Sequence, residues 1–148
     1  MDRLTFRSPD GCHIAALTDI GEIRFGPPYY SLRLDKFDLG TRFFGGTGLW
    51  SPDSRYFATQ EWTTLSYQEG PQTRLVLFDV DEGRECVLSW AAKGFIEPRQ
   101  FLNCTLIYTK TYQSQGRVNE YEIDFLAVDR WRTMTPTSPV MGNIGETE

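Results

Sequence analysis

The chain has 148 residues and carries 20 acidic against 15 basic side chains, a formal net charge of −5. That length suits one domain with a substantial core, and the acidic balance argues against nucleic acid as the main partner, because phosphates are held by basic faces. No apolar run approaches the roughly eighteen residues of a membrane helix, and Cys12, Cys86 and Cys104 lack both the spacing of a metal site and the even count of a disulfide framework.

An odd cysteine count and an opening Met1-Asp2-Arg3-Leu4 without an apolar leader lead us to expect a cytoplasmic protein. Helical periodicity is almost absent; Ser89 to Gly94 offers at most one helical turn before a glycine cap. Strand signals dominate, in chain order at Ile14–Leu17, Ile20–Phe25, Tyr29–Leu34, Tyr56–Gln60, Arg74–Val80, Glu85–Ser89, Thr105–Thr109, Val118–Val128 and Trp131–Met134. They group into units over about residues 4–44, 46–92 and 95–135, with Gly45-Gly46-Thr47-Gly48 read as the flexible link between the first two. The longer strands align Leu75 to Asp81 with Ile123 to Asp129. Residues 136–148 are rich in Pro, Ser, Thr, Gly and acid, and read as a flexible tail.

One phrase occurs twice. Ser8-Pro9-Asp10-Gly11 leads into Ile14-Ala15, and Ser51-Pro52-Asp53-Ser54 leads into Phe57-Ala58. With Phe6-Arg7 and Leu49-Trp50 before these turns, and Leu75-Val76-Leu77-Phe78-Asp79 closing a later strand, the pattern resembles the blades of WD40-like β-propellers. The resemblance implies an all-β fold of antiparallel sheets in about three blade-like units, an open or incomplete propeller. A ring completed by a second copy, and hence a homodimer, is one alternative; a curved β-sandwich is the other.

Chemistry-bearing motifs are few. His13 is the sole histidine and has no Gly-x-Ser-x-Gly elbow to serve, and the glycine cluster enters Leu49-Trp50 rather than the lysine and hydroxyl of a phosphate loop. Asp79-Val80-Asp81-Glu82-Gly83 lacks the spacing of a calcium loop and reads as a hairpin turn. We therefore expect no catalytic residues, no metal and no cofactor.

Two surfaces are candidates for binding. In Asn119-Glu120-Tyr121-Glu122-Ile123-Asp124-Phe125 the alternation puts Glu120, Glu122 and Asp124 on one strand face, about 6.6 Å apart. Such a row suits a solvated outer face relieved by Arg117 and Arg130, or the basic groups of a partner. The second surface is a loop rim with Glu61, Trp62, Tyr67 and Glu69 from unit two, Tyr112 from unit three and Pro27 to Tyr30 from unit one. From Glu61 to Glu85 there are six acids and two bases, so this region reads as locally negative.

These features predict a non-catalytic protein-binding module whose partner has a basic surface, with no nucleic acid or membrane among its partners. A concrete form is a bacterial immunity protein that covers the active site of a toxin. The alternative is a small-molecule or carbohydrate-binding β domain with Trp62, Tyr67 and Tyr112 as stacking platforms.

Overall fold

The computed structural model describes residues 3–23, 26–66, 68, 70–112 and 116–137. Among these the protein is all-β and antiparallel. Its twelve strands are β1 (Arg3–Arg7), β2 (Ile14–Glu22), β3 (Pro28–Leu34), β4 (Phe37–Asp38), β5 (Phe43–Trp50), β6 (Tyr56–Trp62), β7 (Gln72–Asp79), β8 (Arg84–Ala92), β9 (Gly94–Leu102), β10 (Thr105–Tyr112), β11 (Val118–Asp124) and β12 (Arg132–Thr133). A nine-stranded sheet runs β1-β2-β3-β5-β6-β7-β8-β12 with β4 beside β3, and a three-stranded sheet runs β11-β10-β9. Neither closes on itself, and three separate four-stranded blades are not what the pairing gives.

The long sheet is two meanders joined at one residue pair, Tyr30 with Phe44. The cores explain how they stack. β6 and β7 are buried on both faces, as the unbroken run Leu75-Val76-Leu77-Phe78 requires. Phe57, Val76 and Phe78 face a core shared with Leu17, Leu32 and Phe44. Ala58, Leu75 and Leu77 face a second core shared with Ile96, Leu106 and Phe125. The β5–β8 meander is thus the middle layer, with β1–β4 on one side and β9–β11 on the other.

The repeated phrase builds the same turn twice. Ser8 and Ser51 each donate a side-chain bond to the carboxylate two residues on, Asp10 (2.7 Å) and Asp53 (2.5 Å), and accept one from the backbone N–H five residues on, His13 and Tyr56 (both 3.0 Å). Gly11 and Ser54 hold corresponding left-handed positions, φ 75° and 65°. The turns also meet: Ser54 Oγ accepts from Asp10 N–H at 2.9 Å, and the Trp50 indole donates to the Phe6 carbonyl at 2.7 Å. His13 is part of this turn region, bonded to Asp35 at 2.7 Å and stacked on Trp50.

Three expectations are corrected. The glycine cluster is no linker but part of β5, because rings from neighbouring strands fill the space its side chains lack: a Cβ on Gly46 would meet the Tyr30 ring at 2.9 Å, and one on Gly48 would overlap Phe57. Ser89 to Ala92 is the end of β8 rather than a helical turn, and Lys93 (φ 61°) turns the chain into β9. β11 stops at Asp124, short of the expected Val128, because the Asp124 carboxylate accepts from Leu126 N–H in a turn, so Asp124 and not Ala127 takes the place of the strand-ending Asp79. At the start of the expected tail the Pro136 carbonyl accepts from Thr41 N–H at 3.1 Å and Thr137 N–H donates to Thr135 Oγ1 at 3.4 Å, while 138–148 and Phe25 lie outside the described residues.

A buried ion network fixes the middle layer. Arg42 forks onto Glu61 with two 2.9 Å bonds and reaches Glu85 at 2.7 Å, while Arg74 bonds Glu61 at 2.8 and 2.9 Å. All four side chains are essentially inaccessible to water. Burial works against the charge on Arg42, and the bonds to the two glutamates outweigh it, so its pKa lies above the ordinary arginine value. The Thr135 backbone joins through its carbonyl to Arg42 and its N–H to Glu85, both at 3.1 Å.

Candidate functional site

The site is built from the three-stranded sheet upward. On β11 the side chains of Glu120, Glu122 and Asp124 are exposed, and they stand opposite Thr109, Ile107 and Thr105 of β10. Among the described residues none of the three carboxylates forms a salt bridge. The opposite face of β11 carries Tyr121 and Ile123; Tyr121 stacks on Tyr108 at 5.5 Å, with the Lys110 ammonium 5.0 Å from its ring centre. Burial lowers the pKa of Lys110.

The same outer face continues across β10 to β9, where Thr109 pairs with Glu97. The register slips here because Gln100 pairs with Ile107 and Pro98 with Tyr108, leaving Arg99 as an extra residue beside a proline that has no N–H to give. That bulge turns Arg99 onto the acidic face, where it bonds Glu97 and Thr109, both at 3.0 Å. Glu97, Thr109 and Glu120 therefore form one row across three strands.

Beyond Glu97 lies a cleft of about 250 Å³, lined chiefly by Tyr30, Gly45, Gly46, Gln60, Trp62 and Phe95. A second bulge makes it. Phe44 pairs with Glu61 and Gly48 with Thr59, so three residues of β5 stand against Gln60 alone. The floor needs glycine, since a Cβ on Gly45 would overlap Gln60 Oε1. Trp62 meets Phe95 edge to face at 5.6 Å, and Gln60 is fixed by donating to the Ile96 carbonyl at 3.0 Å.

The expected site residues divide. Glu120, Glu122 and Asp124 stand on one exposed face. Glu61 does not reach the surface, because Arg42 and Arg74 hold it inside the middle layer, and it is no partner-facing acid. Trp62 ends β6 instead of starting a loop, since it pairs with Thr73, and only 3% of it is exposed. Tyr112 is half-buried over Gly94 and does not line the cleft, whereas Pro27, Pro28 and Tyr30 of unit one do meet Trp62 of unit two there, so the expected rim forms without Tyr112. Tyr67 and Glu69 lie outside the described residues. Tyr30 was expected on the binding rim, but Phe95, Gln60 and Glu97 were not singled out; the pair Gly45-Gly46 was the available signal of a close approach.

No family model, curated protein or solved structure matches this chain. Among the described residues no helix is long and apolar enough to cross a membrane, and no group of three or more His, Cys, Asp or Glu is placed to hold a metal ion.

Proposed function

We propose that this chain is a non-catalytic protein-binding module that presents the outer face of β9–β11, together with the adjoining cleft, to a partner with a basic surface. The observation that carries this reading is the row Glu97–Thr109–Glu120, which joins an aromatic cleft to three exposed carboxylates that form no salt bridge among the described residues. Opposed charges steer encounter and select against wrong partners, while aromatic anchors supply most of the binding energy. In its concrete form the module is a cytoplasmic immunity protein that covers the basic active site of a toxin. The three stacked meanders serve it as an open, propeller-like array.

A small-molecule reading is favoured by one feature, the cleft with Tyr30, Trp62 and Phe95 around it. Drug-sized ligands occupy pockets of about 300–1,000 Å³, so this cleft suits a head group better than a sugar chain.

Pull-down from the native cell at low and at high salt tests the proposal. The expected result is one basic protein at equal stoichiometry, released as salt screens the exposed carboxylates. An empty pull-down paired with a small molecule that raises the melting temperature would transfer the function to the cleft alone.

A further inference from the structure

We infer that the cleft floored by Gly45 and Gly46 is a cation pocket that takes a single guanidinium or ammonium head group from a side chain of the partner. The source of that cation rests on the protein-binding reading above; the chemistry of the pocket stands on the cleft itself. Among the described residues that line it, none is basic. Tyr30, Trp62 and Phe95 line it, Phe95 being the most open of the three, and aromatic rings attract a cation within about 6 Å of their centres. Glu97 contributes a carboxylate and Gln60 an amide oxygen, held beside Gly45 by the bond from its own amide nitrogen to Ile96.

Other occupants fit less well. An anion would approach Glu97 against its charge. A neutral apolar group would strip water from Glu97 and Gln60 and return no hydrogen bond. The volume of about 250 Å³ limits the occupant to about one head group. Arg99, half exposed, already sets a guanidinium on Glu97 from the solvent side at 3.0 Å. An incoming cation shares that carboxylate with it, so removing Arg99 strengthens binding and removing the Glu97 charge weakens it.

The test is an NMR titration of the isotope-labelled full chain with N-acetyl-arginine amide, N-acetyl-lysine amide and the neutral N-acetyl-norleucine amide. The expected result is saturable shifts at Gly45, Gly46 and the Trp62 indole with a cation, and binding about tenfold weaker or absent with norleucine. Glu97→Gln weakens the cation several-fold and Arg99→Gln strengthens it, with the rest of the spectrum reporting that each variant is folded. Norleucine binding as tightly as either cation, or no saturable shift with any of the three, overturns the pocket. A Gly-Gly-Arg-Gly-Gly peptide matching or exceeding agmatine supports a partner side chain as the source; agmatine binding much more tightly overturns that source and makes the ligand a free amine. Neutralising Glu120, Glu122 and Asp124 leaves the free-cation affinity within about twofold, so failure of the acidic row is distinguishable from failure of the pocket.

Discussion

At Asp79, burial and charge act in opposite directions. Its side chain is inaccessible to water, which by itself would raise the pKa, but Arg55 forks onto it at 3.0 Å, Arg84 bonds it at 2.9 Å and the Glu82 N–H adds a third donor. These donors bring its pKa below the usual carboxylate range. A carboxylate depressed in the folded state stabilises above its unfolded pKa of about 3.9, and that stability is lost as pH falls through the lower folded value. Asp79→Asn is expected to lower stability at pH 7 by about 1–3 kcal/mol and to cost less at pH 3, where the contribution of the charge has begun to be lost. Urea unfolding of both proteins at the two pH values checks this; an equal cost at both would show that the charge is not what matters. Ser54 shows a different balance at the same scale. It bears the left-handed backbone that glycine takes in the first turn, and its hydroxyl recovers something by accepting from Asp10 across the two turns.

Among the elements, β6 carries the most information per residue. One face of it packs Phe57 into the first core, the other packs Ala58 into the second, and Glu61 sits in the ion network. Breaking a buried ion pair leaves a charge without its partner, at about 3–5 kcal/mol. Glu61→Gln is therefore expected to lower unfolding free energy by about that much, read by chemical denaturation; a change under about 0.5 kcal/mol would mean that Arg42 and Arg74 find other acceptors. The network is not fully closed. Glu85 Oε1 and Arg132 Nε, on residues paired directly across β8 and β12, are buried with no hydrogen-bond partner among the described residues. Desolvation lowers the pKa of Arg132 accordingly.

Legibility in the sequence also differs by element. The Leu75–Phe78 run and the alternation around Glu120 are direct signals of a doubly buried strand and a half-exposed one, and both form where the pattern puts them. The turn phrase was legible because Ser, Pro, Asp and Gly each satisfy a local requirement of that turn. β5 was not, since Gly45-Gly46-Thr47-Gly48 has low strand propensity and is held by rings from other strands. Nor was the fate of Glu61: charge alone reads as surface, and only pairing β6 with β7 places Arg74 opposite it. The acidic row was visible in one strand, whereas the cleft beside it needs residues from β3, β5, β6 and β9.

For the whole molecule, the stack of three layers explains why the binding surface belongs to the last one. The middle layer is committed to two cores and an ion network, and the C-terminal segment clamps it: Met134 N–H donates to the Gly83 carbonyl at 3.0 Å, and Thr135 joins Arg42 and Glu85. The β9–β11 sheet spends one face on the second core and leaves the other to solvent, with Glu97, Glu120, Glu122 and Asp124 on it. Like charges on one strand face also discourage pairing of β11 with another edge, so the row serves the free protein as well as a complex.

The measurement that tests the binding claim most directly is the affinity of the captured partner, by calorimetry at physiological salt, for the wild-type chain and for the triple variant Glu120→Gln, Glu122→Gln, Asp124→Asn. The account predicts a loss of about tenfold or more for the variant, with its melting temperature unchanged because the three side chains are exposed. Equal affinity for the two proteins would contradict it and remove the outer face of β9–β11 as the binding surface.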